Sequence, residues 1–192
     1  GIQGAVYQML AHGVSTGGLF LVVGMLSDRR HTRLISEFGG LKAVMPRLTA
    51  GFLLLTLASI GLPGLNGFVG EFLILFGAFK ADPRYVVVAG LGIILSAVYM
   101  LWMFQRVFYG PVTHDENRAL PDLSLREGVA LVPLVAVAIF MGVAPNVFLA
   151  PTAGAVAAVV DRLDAVRLER VENAPAAPRE PSPLVVSWTE GR

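Results

Sequence analysis

The chain reads as an all-α, polytopic membrane protein, a bundle of about four transmembrane helices of which one is broken, followed by a surface amphipathic helix and a disordered tail. Three observations lead there. The 192 residues are 55% hydrophobic with only 15% charged, and their mean hydropathy is +0.66, above the balance of a soluble domain. Four apolar stretches reach the roughly twenty residues that a helix needs to cross a hydrocarbon core about 30 Å thick. One of them is too long for a single crossing and carries proline and glycine in its middle.

The first span covers roughly residues 4 to 26, with His12 as its single side chain able to titrate near neutrality. The second runs from near Leu48 to Phe79 and is interrupted by Leu62-Pro63-Gly64-Leu65-Asn66-Gly67. As one helix it would measure about 48 Å, so it must tilt, protrude or break. Proline removes a backbone donor and clashes with the preceding turn, and the glycines supply unusual backbone angles; unwinding is therefore expected over 62–67, at Pro63, Gly64, Asn66 and Gly67. The third span runs from about Tyr85 to Phe104 and ends in Trp102, Phe104, Phe108 and Tyr109, a cluster suited to an interfacial belt. The fourth begins near Gly128 and ends near Pro145 or Leu149, with Pro133 in its first turns.

Two loops, 27–47 and 106–126, hold eight of the fifteen basic residues. If all four stretches cross, these loops share one side, and the excess of arginine and lysine makes that side cytoplasmic. Residues 1–150 are thus expected to form the transmembrane domain. Residues 151–172 are expected to form an amphipathic helix with Val156, Val159, Leu163 and Val166 on one face, either lying on the membrane surface or a neighbouring subunit or continuing the fourth span as a solvated helix. The proline-rich 173–192 is too poor in apolar residues to build a core. The start at Gly1, already inside an apolar run, reads as a fragment of a longer protein.

Charge and composition exclude other classes. A net charge of +1 offers no basic stripe for nucleic acid. The absence of cysteine excludes thiolate metal sites and cysteine nucleophiles. No metal is expected, since no pair of His, Asp or Glu has ligand spacing inside a span, and no phosphate-binding loop or nucleophile elbow is present.

Chemistry therefore concentrates on two intramembrane groups, Glu71 and His12, because an ionisable side chain in a bilayer is costly and is retained for a pathway or a partner. Unwound backbone at membrane depth is tolerated only in protein or beside a hydrated cavity, and such breaks mark ion sites in transporters. Asn66 can cap the second half-helix, setting Glu71 just over one turn into it, near the positive end of the dipole. Taking a carboxylate out of water costs more than a helix terminus returns, so Glu71 is expected to be neutral until a proton leaves or a cation approaches. A carboxyl used only as packing glue is the alternative. His12 is open to two readings: a proton relay, since imidazole accepts at one nitrogen and donates at the other, or a packing residue bonded to Ser15 or a carbonyl, beside Gly13, Gly17 and Gly18.

The run Leu62-Pro-Gly-Leu-Asn-Gly-Phe-Val-Gly-Glu-Phe-Leu-Ile-Leu-Phe76 resembles the broken-helix motif of the antiporter-like subunits of respiratory complex I. Gln8-Met-Leu-Ala-His-Gly-Val-Ser15 resembles the family's preceding histidine-bearing helix, His31-Thr-Arg33 with Gly39-Gly-Leu41 its following loop, and Leu123-Ser-Leu-Arg-Glu127 the entry to its last helix. The resemblance covers about residues 4–149. It implies a proton-translocating subunit of NADH:quinone oxidoreductase with Glu71 as the outward exit residue and His12 as a relay on a central axis. Glu71 stands where related subunits commonly carry lysine, which favours the subunit M type.

By the same resemblance NADH, flavin, iron–sulfur clusters and quinone belong to partner subunits and no cofactor to this chain. The implied partners are the other membrane subunits of complex I, the lipid bilayer and protons. The implied location is a bacterial plasma membrane, or the mitochondrial inner membrane in a eukaryote. The family's intramembrane Glu–Lys pair and central Lys would precede Gly1, so this chain alone is not expected to pump. The competing classes are a subunit of a multisubunit sodium/proton antiporter or membrane-bound hydrogenase, and a structural membrane module.

Overall fold

A computed structural model describes residues 1–172, and its regular elements are helical. In chain order they are α1 (Ile2–Arg30), a 3₁₀ turn (Ile35–Glu37), α2 (Leu41–Val44), α3 (Pro46–Ser59), α4 (Asn66–Ala81), α5 (Pro83–Phe108), α6 (Asp115–Arg118), α7 (Leu125–Val143) and α8 (Asn146–Glu172). Residues Gly1–Val156 form one compact unit and a second begins at Ala157. The expected disordered tail lies outside the described residues.

The long second span is two helices, α3 of 14 residues and α4 of 16. Each is too short to cross alone. Together they run antiparallel along α1: Gly18 meets the Leu55 side chain, Asn66 Nδ2 bonds the Ala11 carbonyl, and Gly4 lies against Leu73 and Ile74. Small residues make this approach possible. A β-carbon on Gly4 would sit 2.6 Å from the Leu73 side chain and 2.9 Å from the Ile74 backbone nitrogen, so backbone contact replaces side-chain interdigitation here, as is common between membrane helices. Helix α7 runs antiparallel to α1, with Glu127 beside Arg29 and the Met141 carbonyl accepting from the Tyr7 hydroxyl at 2.6 Å.

The two arginine-bearing loops meet at one end of the bundle. Arg29 grips Glu127 through its two terminal guanidinium nitrogens, at 2.7 and 2.8 Å, and donates from Nε to the Pro121 carbonyl. Arg30 pairs with Glu116 and Glu37. Asn117 Nδ2 donates to the Glu37 carbonyl and the Gly40 amide to the Tyr109 carbonyl. Helix α3 begins with Pro46, which has no N–H to satisfy, and the next two orphan amides, Arg47 and Leu48, donate to the Asp122 carboxylate at 3.0 and 3.1 Å. A residue of the second loop thus caps a helix that the first loop leads into. Helix α7 starts with its own capping box, Ser124 with Glu127, three residues before the expected start near Gly128.

Beneath those loops lies the main core, in which Phe52 of α3 packs on Phe104 and Phe108 of α5 with centroids 6.2 and 5.0 Å away. Phe104 and Phe108 are 2% and 0% exposed, which corrects the expectation of an interfacial belt for these two. At i and i+4 they share the helix face that meets α3, and only Trp102 and Tyr109 of the cluster stay exposed.

At the far end α4 passes into α5 through one residue, Asp82, whose carboxylate accepts from the Arg84 amide and guanidinium. Helices α1, α5 and α7 are long and apolar enough to cross a membrane, and so is Asn146–Glu169 of α8. The last helix therefore starts at Asn146, earlier than the expected 151, with Pro151 inside it. Phe148 and Leu149 pack against the Tyr7 cluster in the first unit. In the second unit Val159, Leu163 and Val166 are exposed.

Candidate functional site

The site is built on the gap between α3 and α4. Helix α3 closes with paired terminal bonds, Leu62 N–H to the Leu57 carbonyl at 3.0 Å and Gly61 N–H to the Ala58 carbonyl at 3.4 Å, around Gly61 at φ +73°. This is a Schellman ending, which needs a left-handed residue after the last helical turn. Leu62-Pro63-Gly64-Leu65 then folds as a tight turn closed by Leu65 N–H to the Leu62 carbonyl at 3.1 Å, with Gly64 at φ +92°. Proline followed by a positive-φ glycine is the type II turn pattern.

The break therefore begins at Ile60, earlier than the expected 62, because Gly61 ends α3 before proline acts. Asn66 and Gly67 are not unwound: they open α4. Asn66 does not cap the helix in the expected manner either. Leu65 holds the cap position without a side-chain bond. The wholly buried Asn66 instead donates Nδ2–H to the Ala11 carbonyl of α1 at 2.9 Å and accepts from the Gly67 amide at 3.0 Å. It ties the start of α4 to α1 through a buried carbonyl. Gly67 seats α4 on the end of α3, since a β-carbon there would collide with the Ala58 carbonyl, and Gly142 of α7 closes on the Gly64 turn in the same way, with Leu65 Cα 2.5 Å from where its β-carbon would be.

Glu71, partly buried, lies over this gap. Its carboxylate occupies the space that a side chain on Gly61 would need, so the glycine that ends α3 also makes room for the acid of α4. On the α1 side Gln8 Nε2 is 3.5 Å from Glu71 Oε1. On the other side a pocket of about 280 Å³ is lined by Ser59, Ile60, Glu71, Ala89, Gly92, Ile93 and Ser96. The Ser59 hydroxyl is buried and has no partner among the described residues, and the Ser96 hydroxyl is 3.5 Å from that of Tyr99. Space and hydroxyls together suit water. The arrangement is a carboxyl between an amide and a serine-lined pocket, able to exchange a proton with water on one side.

His12 is not brought to Glu71. It lies on the exposed face of α1, with its ring 3.2 Å from the Thr16 hydroxyl. Ser15, named as a partner from sequence, instead donates to the Ala11 carbonyl at 3.0 Å. Gly13 and Gly17 meet no neighbour within 4 Å, and Gly18 faces Leu55. Among the described residues no group of three metal-ligating side chains occurs. The residues that sequence reasoning passed over are Gln8, Ser59, Gly61 and Ser96. Gln8 falls at the three- and four-residue spacing of Gly4, Ala11, Ser15 and Gly18, the buried small-residue stripe of α1, and a polar side chain on that stripe was the available signal.

These features define a polytopic membrane protein organised around a discontinuous helix with a carboxyl at the break. The family model described as NADH:quinone oxidoreductase/Mrp antiporter, transmembrane, matches residues 1–97. Over 146 residues the chain is 44% identical to NADH-quinone oxidoreductase subunit M of Rhodobacter capsulatus, covering 76% of this chain and 28% of that protein. Over 149 residues it is 44% identical to NADH-ubiquinone oxidoreductase chain 4 of Marchantia polymorpha, covering 78% and 30%. A chain of the structure of respiratory complex I from Thermus thermophilus with bound NADH superposes with a TM-score of 0.73 at 42% identity, over 80% of this chain and 32% of that one. The chain belongs to the NADH:quinone oxidoreductase/Mrp antiporter membrane-subunit family. It spans under a third of the length of these relatives.

Proposed function

We propose that this chain is the proton-exit portion of a subunit M-type component of a proton-translocating NADH:quinone oxidoreductase. The observation that carries the reading is Glu71, set over a helix break between Gln8 and a serine-lined pocket. A carboxyl so placed takes a proton from the bundle interior and releases it to water in the pocket. The relatives' names support the redox partner, and Glu71 in place of the lysine common among related subunits supports the M type over the antiporters.

Sidedness follows from charge. The arginine-bearing loops, 27–47 and 106–126, would face the cytoplasm of a bacterial plasma membrane. Glu71 is ten residues from the Ala81 end of α4, about 15 Å, and so belongs to the opposite, outward half. Electron transfer would take place in other subunits. Iron–sulfur clusters need thiolates, which this chain lacks, and the resemblance assigns NADH, flavin and quinone to partner subunits as well. The chain's share of the activity is translocation. His12 serves in this reading as an upstream relay, its ring exposed on α1. Residues 1–150 form the transmembrane domain, and 151–172 continue from it as a helix on the membrane surface or a neighbouring subunit.

The test is Glu71→Gln in the intact respiratory assembly, with proton translocation and NADH:quinone electron transfer measured together in sealed vesicles. Loss of most translocation is expected. Translocation at the normal rate would remove Glu71 from the mechanism, and sodium-dependent transport without NADH oxidation would move the chain to the antiporters.

A further inference from the structure

Gln8 is the one side chain of α1 within hydrogen-bonding reach of Glu71, and its surroundings are unusual. Its Nε2 points to the carboxylate at 3.5 Å, the outer limit of a hydrogen bond, while its Oε1 is buried with no partner among the described residues. A buried acceptor left without a hydrogen bond is costly, so a structural amide would be expected to satisfy it. The amide is held there by Gly70: a β-carbon on Gly70 would collide with Gln8 Oε1 and lie 2.9 Å from Gln8 Cβ and 3.0 Å from its Cα. The glycine lets α1 and α4 close so that Gln8 lies alongside Glu71.

The chemistry of an amide fits a carboxyl that changes its proton. An ionised carboxylate only accepts hydrogen bonds, whereas the protonated acid also donates one. A primary amide offers a donor at one end and an acceptor at the other, and half a turn about its last torsion exchanges them. We infer that Gln8 is a positioning residue for Glu71 that follows its protonation: Nε2–H donates to the carboxylate, and after the amide turns, Oε1 accepts a hydrogen bond from the O–H of the acid. No proton is transferred to Gln8, so the amide stays neutral while the proton enters and leaves Glu71. The orphan Oε1 is then the acceptor held in reserve for the acid form. This inference rests on the exit role proposed for Glu71.

Few other titratable groups compete for the carboxyl. Helix α3 between Leu48 and Ser59 and α7 between Gly128 and Val143 carry none. On α1 the Tyr7 hydroxyl is committed to the Met141 carbonyl, and His12 is bonded to Thr16 on the exposed face. On α5 Tyr99 is beside Ser96, and Arg84 is paired with Asp82 at the far end. On α4 itself Lys80 lies over the Phe76 ring, 4.8 Å from its centroid.

The experiment uses the full-length subunit in the intact assembly, with infrared difference spectra between high and low pH. The carboxyl band of Glu71 is identified by its loss in Glu71→Gln. In Gln8→Met, which keeps length but offers no hydrogen bond, this band is expected to move to higher wavenumber as the acid loses its acceptor, and proton translocation is expected to fall roughly tenfold, the scale of one hydrogen bond to a charged group. Gln8→Asn, an amide one methylene shorter, is expected to return the band partway, and it reads the same signal if Gln8→Met does not assemble. An unmoved band in either variant, or wild-type translocation in assembled Gln8→Met, overturns the inference. If Glu71→Gln itself translocates normally, the exit role fails first, whereas a translocation-dead Glu71→Gln with silent Gln8 variants sinks only the role of Gln8.

Discussion

Replacing Gly61 by alanine tests whether the end of α3 and the seat of Glu71 are the same feature. Two effects are expected, and Gly64 separates them. At φ +73° for Gly61 and +92° for Gly64, alanine is strained at either position, at a cost of about 1–2 kcal/mol for a left-handed non-glycine residue. A β-carbon at Gly64 meets nothing within 4 Å, whereas one at Gly61 enters the space of the Glu71 carboxylate. The carboxylate is the far end of a flexible side chain, so it moves while the backbone stays, and it moves away from Gln8 and the serine-lined pocket. Thermal inactivation of the intact assembly should therefore show a comparable loss for Gly61→Ala and Gly64→Ala, about 1–2 kcal/mol each. Proton translocation in sealed vesicles should separate them: Gly64→Ala stays near wild type, and Gly61→Ala falls by about tenfold, the scale of the lost hydrogen bond to the charged carboxylate. If the two variants translocate alike at the wild-type rate, the seat of Glu71 over Gly61 has no functional meaning.

Two further perturbations address the ends of the bundle. Asp122→Ala removes the acceptor of the Arg47 and Leu48 amides at the start of α3 and should cost about 1–2 kcal/mol in chemical denaturation, the scale of a helix cap, with Asp122→Asn recovering part of it; an unchanged midpoint in the alanine variant would mean that water replaces the cap without loss. At the opposite end, the Arg84 guanidinium, aided by the Arg84 amide, holds the Asp82 carboxyl below its usual range. The sign is that of a depressed acid: the contribution to stability is complete above the unfolded value of about 3.9 and is lost as pH falls through the lower folded value. Carbon-13 titration of Asp82 in lipid nanodiscs should give a midpoint below the ordinary one, moving back only partway in Arg84→Ala, which keeps the amide donor, and an ordinary midpoint in the unsubstituted chain would show that the pair does not form in solution.

What could be read directly from the sequence is what local chain physics dictates. Apolar length predicts the crossings because the bilayer sets a minimum number of residues, and the break in the second span follows from Pro63 and Gly64, which no helix interior accommodates cheaply. Intramembrane cost singles out Glu71 for the same kind of reason. Where α3 stops was less legible, since any of four glycines from Gly61 to Gly70 could have ended it, and Gly61 does so because its left-handed angle completes the terminal bonds to Leu57 and Ala58. Tertiary packing alone decided the rest. Phe104 and Phe108 are core because α3 presents Phe52 to them; Asp122 is a cap because two loops meet; Asn66 holds α1 and does not cap α4; His12 faces outward while Gln8, one turn away, reaches Glu71 through the gap left by Gly70. Each of these depends on the register at which helices distant in sequence pack together, and that register is set by the summed fit of many small contacts, which no single stretch of the chain contains.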